Sequence, residues 1–477
     1  MNSVFDIIPS TGMTDANNHP GQIYWHTGQN GQISELVTLS ERLLSLDVPF
    51  SVLSVQSSVK LALGGSIHID DNIENENSYQ HLAFVPKQTI QALGNKQFCQ
   101  DYNIKYPYMT GAMANGIASV ELVEAIAKAD MMASFGAAGL SLAEVEKAIQ
   151  CLQAAIPDKS FAFNLIYSPN EKGHEDAIVD LYLRYGIDLV EASAYMKLTL
   201  PVVRYRVKGI YKDVQGNVVV PNRIIAKASR VELASKWFSP PPEKLLKELL
   251  AKGAITNEEA ELAKTIPMAQ DLTVEADSGG HTDNRPAITL LPTILALRDQ
   301  IQAEYKYTHK LRVGAAGGIA TPSSALGAFA MGAAYIVTGT VNQACKESGS
   351  SDIVRERLAN TGQADVTMAP AVDMFEMGVK LQVLKRGSMF AMRGNKLYDL
   401  YKKYTSIDEI PAVDRANLEK TIFKMTLEDV WKKTHEFFSE RDPAQVEKAK
   451  NDQKHKMALI FRWYLGLSSR WANAGVA

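Results

Sequence analysis

The spacing of apolar positions changes character at about residue 105. From there, short apolar runs alternate with stretches whose apolar residues recur every three or four positions. "YPYMTGAM" (106–113) precedes "SVELVEAIAKA", "MMASFG" (131–136) precedes "SLAEVEKAIQCLQAA", and "SFAFNLI" (160–166) precedes "HEDAIVDLYLRYG". The rhythm continues through "DLVEASA" (188–194), "RIIAKAS" (223–229), "DLTVEA" (271–276), "LRVGAAGG" (311–318) and "AYIVTGT" (334–340). Continuous apolar runs are what parallel strands buried on both faces look like. Strand–helix alternation means a parallel sheet. Eight such units predict an α/β fold of the (β/α)8 barrel type, or TIM barrel, over 105–345, with a helical insertion near 238–267. A doubly wound sheet is the alternative. Its GxGxxG turn is missing after the first strand, where "TGAMANG" stands instead.

The flanks read differently. Residues 1–104 predict an N-terminal extension. In it, "SELVTLSERLLSLDVPFSVLSV" suggests a helix then a strand, and "HIDDNIENENSYQH" a polar loop. Residues 346–477 carry little β signal. "DMFEMGVKLQVLKRG" and "KMALIFRWYLGLSSRW" predict an α-helical cap or second domain, set off by "CKESGSSD".

Composition narrows the class. Of 477 residues, 46% are hydrophobic and 22% charged, with a formal net charge of -3. That profile is globular and gives no nucleic-acid or membrane footprint. Cys99, Cys151 and Cys345 form no CxxC pair, so a reducing cytoplasm fits better than a disulfide framework. No HExxH or His/Cys cluster suggests a metal. The N-terminus "MNSVFDIIPSTG" lacks a basic n-region, and no run of about 18 apolar residues occurs, so neither a signal peptide nor a span is expected.

In a barrel of this type the C-terminal strand ends carry the site. Here those ends are rich in small residues, including Gly111, Ala112 and Met113 after the first strand. Glycine and alanine let backbone approach a ligand closely, which favours a flat, planar one. Gly317, Gly318 and Gly339 end the last two strands, where a phosphate site recurs in this architecture; plain turns are the alternative. Lys227, inside "IIAKAS", needs solvent or an anion, and near a reduced flavin it would stabilise negative charge. A rim lysine in a surface ion pair is the competing reading. Asn164 suits a ligand hydrogen bond or a turn cap. Gly279 and Gly280 bring His281 to the mouth of the sixth strand, where it could donate a proton or bind a carbonyl, or be structural.

"EADSGGHTDNRP", "TGAMANGI", "EASAYMKLTLPVVRYR", "VTMAPAVDMFEMGVKLQVLKRG" and "MALIFRWYLGLSSRW" occur in this sequence and resemble the PfaD family. These are trans-acting, flavin-dependent enoyl reductases of polyunsaturated fatty acid and trans-acyltransferase polyketide synthases, related to nitronate monooxygenases. The resemblance implies an FMN-binding barrel that uses NADPH or NADH to reduce an enoyl chain on an acyl carrier protein. It puts His281 beside the flavin and matches Gly317-Gly318 and Gly339-Thr340 to the phosphate grip. It also implies a synthase multienzyme as partner; a homodimer is compatible with it. A nitronate monooxygenase and a silent scaffold protein are the competing functions. For an acidic carrier, residues 376–403 offer Lys380, Lys385, Arg386, Arg393, Lys396, Lys402 and Lys403 against Glu376 and Asp399, a local excess of +5.

Overall fold

The computed structural model describes residues 23–34, 46–69, 77–169 and 173–476. It contains two compact units, residues 1–92 and 93–477. In the first, β1 (Ile23–His26), β2 (Gln32–Ser34), β3 (Phe50–Val55), β4 (Ser58–Leu63), β5 (Ser66–Ile69) and β6 (Ser78–Val85) form one sheet. Its order is β2-β4-β3-β6-β1-β5, with antiparallel pairings. Gln56 and Ser57 join β3 to β4 with φ of 48° and 63°. Positive φ at both central residues gives a two-residue hairpin the twist its strands need. Trp25, Leu53 and Ala62 form the buried centre of this sheet. The helix expected before β3 falls largely on 35–45, outside the described residues. The expected polar loop at 68–81 has strand residues at both ends.

In the second unit the chain runs through β7 (Tyr108–Thr110), β8 (Met132–Phe135), β9 (Ala162–Ile166), β10 (Leu189–Ser193), a small hairpin β11 (Tyr211–Lys212) and β12 (Val218–Val219), β13 (Arg223–Ala228) and β14 (Asp271–Glu275). Then come β15 (Gly280–His281), β16 (Arg312–Ala316), β17 (Ile336–Thr338), β18 (Val366–Pro370) and β19 (Lys380–Leu384). Strands β7, β8, β9, β10, β13, β14, β16 and β17 close into a parallel barrel. Each lies inside one of the eight runs read from the sequence, and the fold is a (β/α)8 barrel. Helix starts follow local chemistry. Ser141 with Glu144, and Thr256 with Glu259, form capping boxes that satisfy otherwise orphaned N–H groups.

The helix Lys96–Asp101 closes the barrel floor. Phe98 stacks on Tyr335 at 4.2 Å, and Asp101 pairs with Arg312 at 2.5 Å. Arg312 also holds Asp271 through two bonds of 2.6 and 2.9 Å, and Tyr102 donates to Asp271 at 2.7 Å. A buried bidentate pair of this kind tolerates burial because its polar atoms are matched.

After the barrel, helices Phe390–Lys403, Ala412–Leu418, Leu427–Arg441, Pro443–Asn451 and Gln453–Ala474 enclose a second core around Phe375, Leu397, Met457 and Phe461. This section was expected to be helical, yet it contributes the hairpin β18–β19. Strand β19 pairs antiparallel with β15, setting His281 opposite Leu381 and Gly280 opposite Gln382. No helix among the described residues is long and apolar enough to cross a membrane.

Candidate active site

The stretch Gly279-Gly280-His281 is neither a plain turn nor a helix lead-in. Gly280 and His281 form a short strand that joins the barrel mouth to the C-terminal hairpin. Around it the loop is tied down. Asp277 accepts from Asn284 at 2.8 Å and from Gln382 at 3.0 Å. Asp283 accepts two bonds from Arg230 at 2.9 Å and one from Ser229 at 2.6 Å. Those bonds hold the Asp283 carboxyl at about 2, below its ordinary range, so the anchor persists at any ordinary pH. Gly317 is required here. Its φ is +92°, and a Cβ would stand 2.7 Å from the backbone of Ala276 and Asp277.

Facing this loop is a charged cluster inside the mouth. Lys227 Nζ lies 2.7 Å from Glu275 and 3.9 Å from Glu191. Its side chain is 13% exposed, so it is not a rim lysine in a surface ion pair. Burial alone would depress the ammonium, but Glu275 and then Glu191 reverse the sign and raise its pKa. Lys227 is therefore a fixed cation. Glu191 is fully buried and accepts from the Ala112 N–H at 2.6 Å through one oxygen. Its other oxygen accepts no hydrogen bond among the described residues; buried Ser278 Oγ is likewise unmatched. Asn164 spends its amide on the Glu191 carbonyl and Ser193 Oγ, both at 3.1 Å, which locks β9 to β10.

The ends of β16 and β17 form a shallow cradle. A Cβ built at Gly318 or Gly339 meets nothing within 4 Å. Helix Pro322–Ala330, capped by Thr321, starts just beyond the first, and Thr340–Gln343 starts at the second. Asn342 braces this corner, donating to Thr338 Oγ1 at 2.7 Å, Tyr108 at 2.8 Å and Thr110 at 3.0 Å. Gly279 approaches the same corner, with Thr340 Oγ1 3.0 Å from its Cβ position. Met113 follows β7, the neighbour of β17, and its carbonyl occupies the space a side chain at Gly136 would need.

His281 Nε2 lies 3.0 Å from Asp373 Oδ1. Burial lowers the imidazole pKa, but the hydrogen bond and charge of Asp373, then Glu275, raise it overall. Asp373 moves the opposite way: burial raises its pKa, and His281 brings it below the usual range.

The structure thus brings Gly111, Ala112, Met113, Asn164, Lys227, Gly279, Gly280, His281, Gly317, Gly318, Gly339 and Thr340 to one end of one barrel. The basic residues of 376–403 are spread over β19, the turn after it and helix Phe390–Lys403. Lys380, Lys385 and Arg386 are exposed at the two ends of β19, with Arg386 3.6 Å from Asp365. Arg393 is half-buried and donates to Tyr464 at 3.3 Å, and Lys396 pairs with Asp414 at 3.4 Å. Glu191, Glu275 and Asp373 were missed from the sequence. Glu191 and Glu275 each left a signal, an acid inside the mostly apolar runs "DLVEASA" and "DLTVEA"; Asp373 left none.

Residues 96–398 match the nitronate monooxygenase family. This chain belongs to that family. It is an enzyme of the oxidoreductase class. Residues 404–477 match a second family, the inserted helical domain of [acyl-carrier-protein] S-malonyltransferase. The chain is 50% identical over 393 residues to one of the polyunsaturated fatty acid synthase subunits of Thraustochytrium sp., covering 82% of this chain and 26% of that protein. It is 46% identical over 388 residues to the polyketide biosynthesis protein PksE of Bacillus subtilis, covering 81% and 50%. The chain therefore spans half or less of the length of these two relatives. Among solved structures it is similar to the enoyl reductase domain of MlnA, from the macrolactin biosynthesis cluster of Bacillus amyloliquefaciens. The two share 37% identity and a TM-score of 0.77, over 82% of this chain and 87% of that one. The resemblance read from the motifs, to the reductases of fatty acid and polyketide synthases, holds.

Proposed function

We propose that this family member is an FMN-dependent enoyl reductase. It uses NADPH or NADH to saturate the α,β-double bond of an acyl chain held on an acyl carrier protein, in the cytoplasm and as part of a synthase. The observation that carries the reading is the convergence at one barrel mouth of a glycine cradle, a buried cation and a histidine. The residues fit the cofactor. Gly318 and Gly339 leave room for a phosphate beside two helix starts. Half-buried Ala112 keeps the side chain small at the mouth, Gly111 makes room for protein, a Cβ there standing 2.9 Å from Val337 Cγ1, and the Ser278 hydroxyl has no hydrogen-bond partner among the described residues. When bound, FMN supplies hydride exchange between nicotinamide and the enoyl β-carbon.

The chain's own residues do the rest. Lys227, held by Glu275, fixes positive charge in the mouth. Gly317 and the Asp283 anchor hold the loop that carries His281. His281, held in place by Asp373, presents a ring nitrogen for the proton that the α-carbon takes up. Atoms balance as enoyl thioester, reduced nicotinamide and one proton giving acyl thioester and oxidised nicotinamide.

A nicotinamide-oxidation assay tests this directly. Crotonyl thioester should accelerate oxidation without oxygen, whereas a nitronate should not. Turnover of the nitronate with oxygen alone would give the nitronate monooxygenase reading instead. The carrier part has its own test. Charge reversal at exposed Lys385 and Arg386 should raise KM for a carrier-bound substrate, and more at low salt, because steering acts on association rate. A pantetheine thioester should barely change. Equal loss on both substrates would place carrier docking elsewhere.

A further inference from the structure

We infer that Asp373 is a positioning residue for His281, dictating which imidazole nitrogen faces the substrate. This deepens the proposed function and rests on it. The two residues are 92 positions apart. Nothing in their local sequence pairs them. They meet because β19 runs antiparallel to β15, so the loop between β18 and β19 swings Asp373 onto the ring. The C-terminal hairpin therefore supplies part of the site as well as closing it.

The chemistry follows from what each group can do. A carboxylate only accepts, so Nε2 must be the donor at the 3.0 Å contact. Asp373 Oδ1 also accepts from the Met374 N–H at 3.1 Å, which fixes the carboxylate in turn. Nδ1 makes no hydrogen bond to any described residue, and the ring is 32% exposed. Nδ1 is thus the nitrogen left to the substrate. In the neutral ring it carries a lone pair and is a base. Only the imidazolium has a proton on Nδ1 to give, so donation needs the doubly protonated ring that a neighbouring carboxylate favours.

Among the described residues, the other charges acting on the pair include Glu275 on β14 and Lys227 on β13, which oppose one another at His281, and Arg462 on helix Gln453–Ala474, which acts on Asp373. The sign follows. With its pKa raised above the ordinary value of about 6.5, His281 is protonated below that pH and stays so until the raised value is passed. Turnover that needs the Nδ1 proton falls as pH rises through that value.

The experiment uses full-length flavin-loaded protein, wild type and Asp373→Asn, with isotope-labelled histidine followed by NMR across pH. Asp373→Asn should lower the His281 titration midpoint and shift the falling limb of kcat to lower pH. At neutral pH it should lose about 10²-fold in kcat, the order expected when a positioned proton donor is disabled. KM and flavin content should hold. Asp373→Glu should restore much of the midpoint, which a merely structural contact would not predict. If neither the midpoint nor the limb moves in Asp373→Asn, the contact is a staple between hairpin and mouth, and the inference fails. Should Asp373→Asn not fold, the Asp373→Glu midpoint decides alone: a value at the ordinary imidazole pKa overturns the pairing. If wild-type protein reduces no enoyl thioester, the reaction reading fails, while the titration still decides whether Asp373 governs His281.

Discussion

Gly339→Leu should purify folded and colourless. The backbone at Gly339 has φ of -119°, which any residue adopts, and a Cβ there meets no protein atom within 4 Å. The fold therefore has no reason to resist the change. The side chain would instead fill the cradle where the phosphate is proposed to sit. Forcing extra methylenes into a close-packed contact costs about 1–3 kcal/mol. At roughly 1.4 kcal/mol per decade that is about 10- to 100-fold in flavin affinity. Gly318→Val should act in the same direction, with about 1–2 kcal/mol of added strain because its φ is +69°. Gly317→Val should behave differently. Its Cβ would collide with the Ala276 and Asp277 backbone, so it should lower the melting temperature and disturb the His281 loop. Flavin content by absorbance and melting temperature together separate the three. A Gly339→Leu protein with full flavin would remove the cradle from the site.

The contrast among these glycines shows where sequence reading stops. That the last two strands end in glycine was legible, as was the barrel itself. Buried parallel strands such as "LRVGAAGG" and "DLTVEA" are apolar on both faces, so eight of them announce themselves without any three-dimensional information. Which glycine yields to a backbone and which to open space depends on neighbouring strands and their loops, and no local pattern encodes that. Asp373 was invisible for the same reason. Its partner is fixed by the register of β15, a strand only two residues long. The hairpin around it was hidden too. "KLQVL" alternates as a strand should, but it sits inside "DMFEMGVKLQVLKRG", whose overall spacing imitates a helix; Gly378, with φ of +74°, makes the break.

Charge was the least legible property. Counting along 376–403 gives an excess of bases, yet Asp365 and Asp414, outside that window, pair with Arg386 and Lys396. Glu191 and Glu275 had the opposite fate. Each lies in an apolar strand, and together they turn Lys227 from an isolated cation into one held between two carboxylates. A sequence shows that Lys227 needs an anion, and only the barrel's closure shows that the protein already provides two. The lysine's field in the mouth is correspondingly tempered, which moves the weight of the proton chemistry onto the His281 side.

His281→Ala should then keep its flavin and lose about 10²–10⁴-fold in turnover, the usual contribution of a positioned proton-transfer group. The backbone of residue 281 pairs with Leu381 whatever its side chain, so the β15–β19 register survives the substitution. The imidazole is partly exposed, and little core packing goes with it. Asp373, 37% exposed, regains water when the ring is removed, so no uncompensated buried charge is left behind. Stability should change little, and the effect should fall on chemistry. The kinetic split locates it. A fall in kcat with KM unchanged means the ring acts in the transition state, as a proton donor does; a rise in KM with kcat unchanged means it only positions substrate or nicotinamide. Flavin reduction by nicotinamide, followed alone in a single turnover without enoyl substrate, should proceed at the wild-type rate in the first case. If kcat, KM and that half-reaction all match wild type, His281 is a structural residue of the β15–β19 joint and the proton comes from solvent.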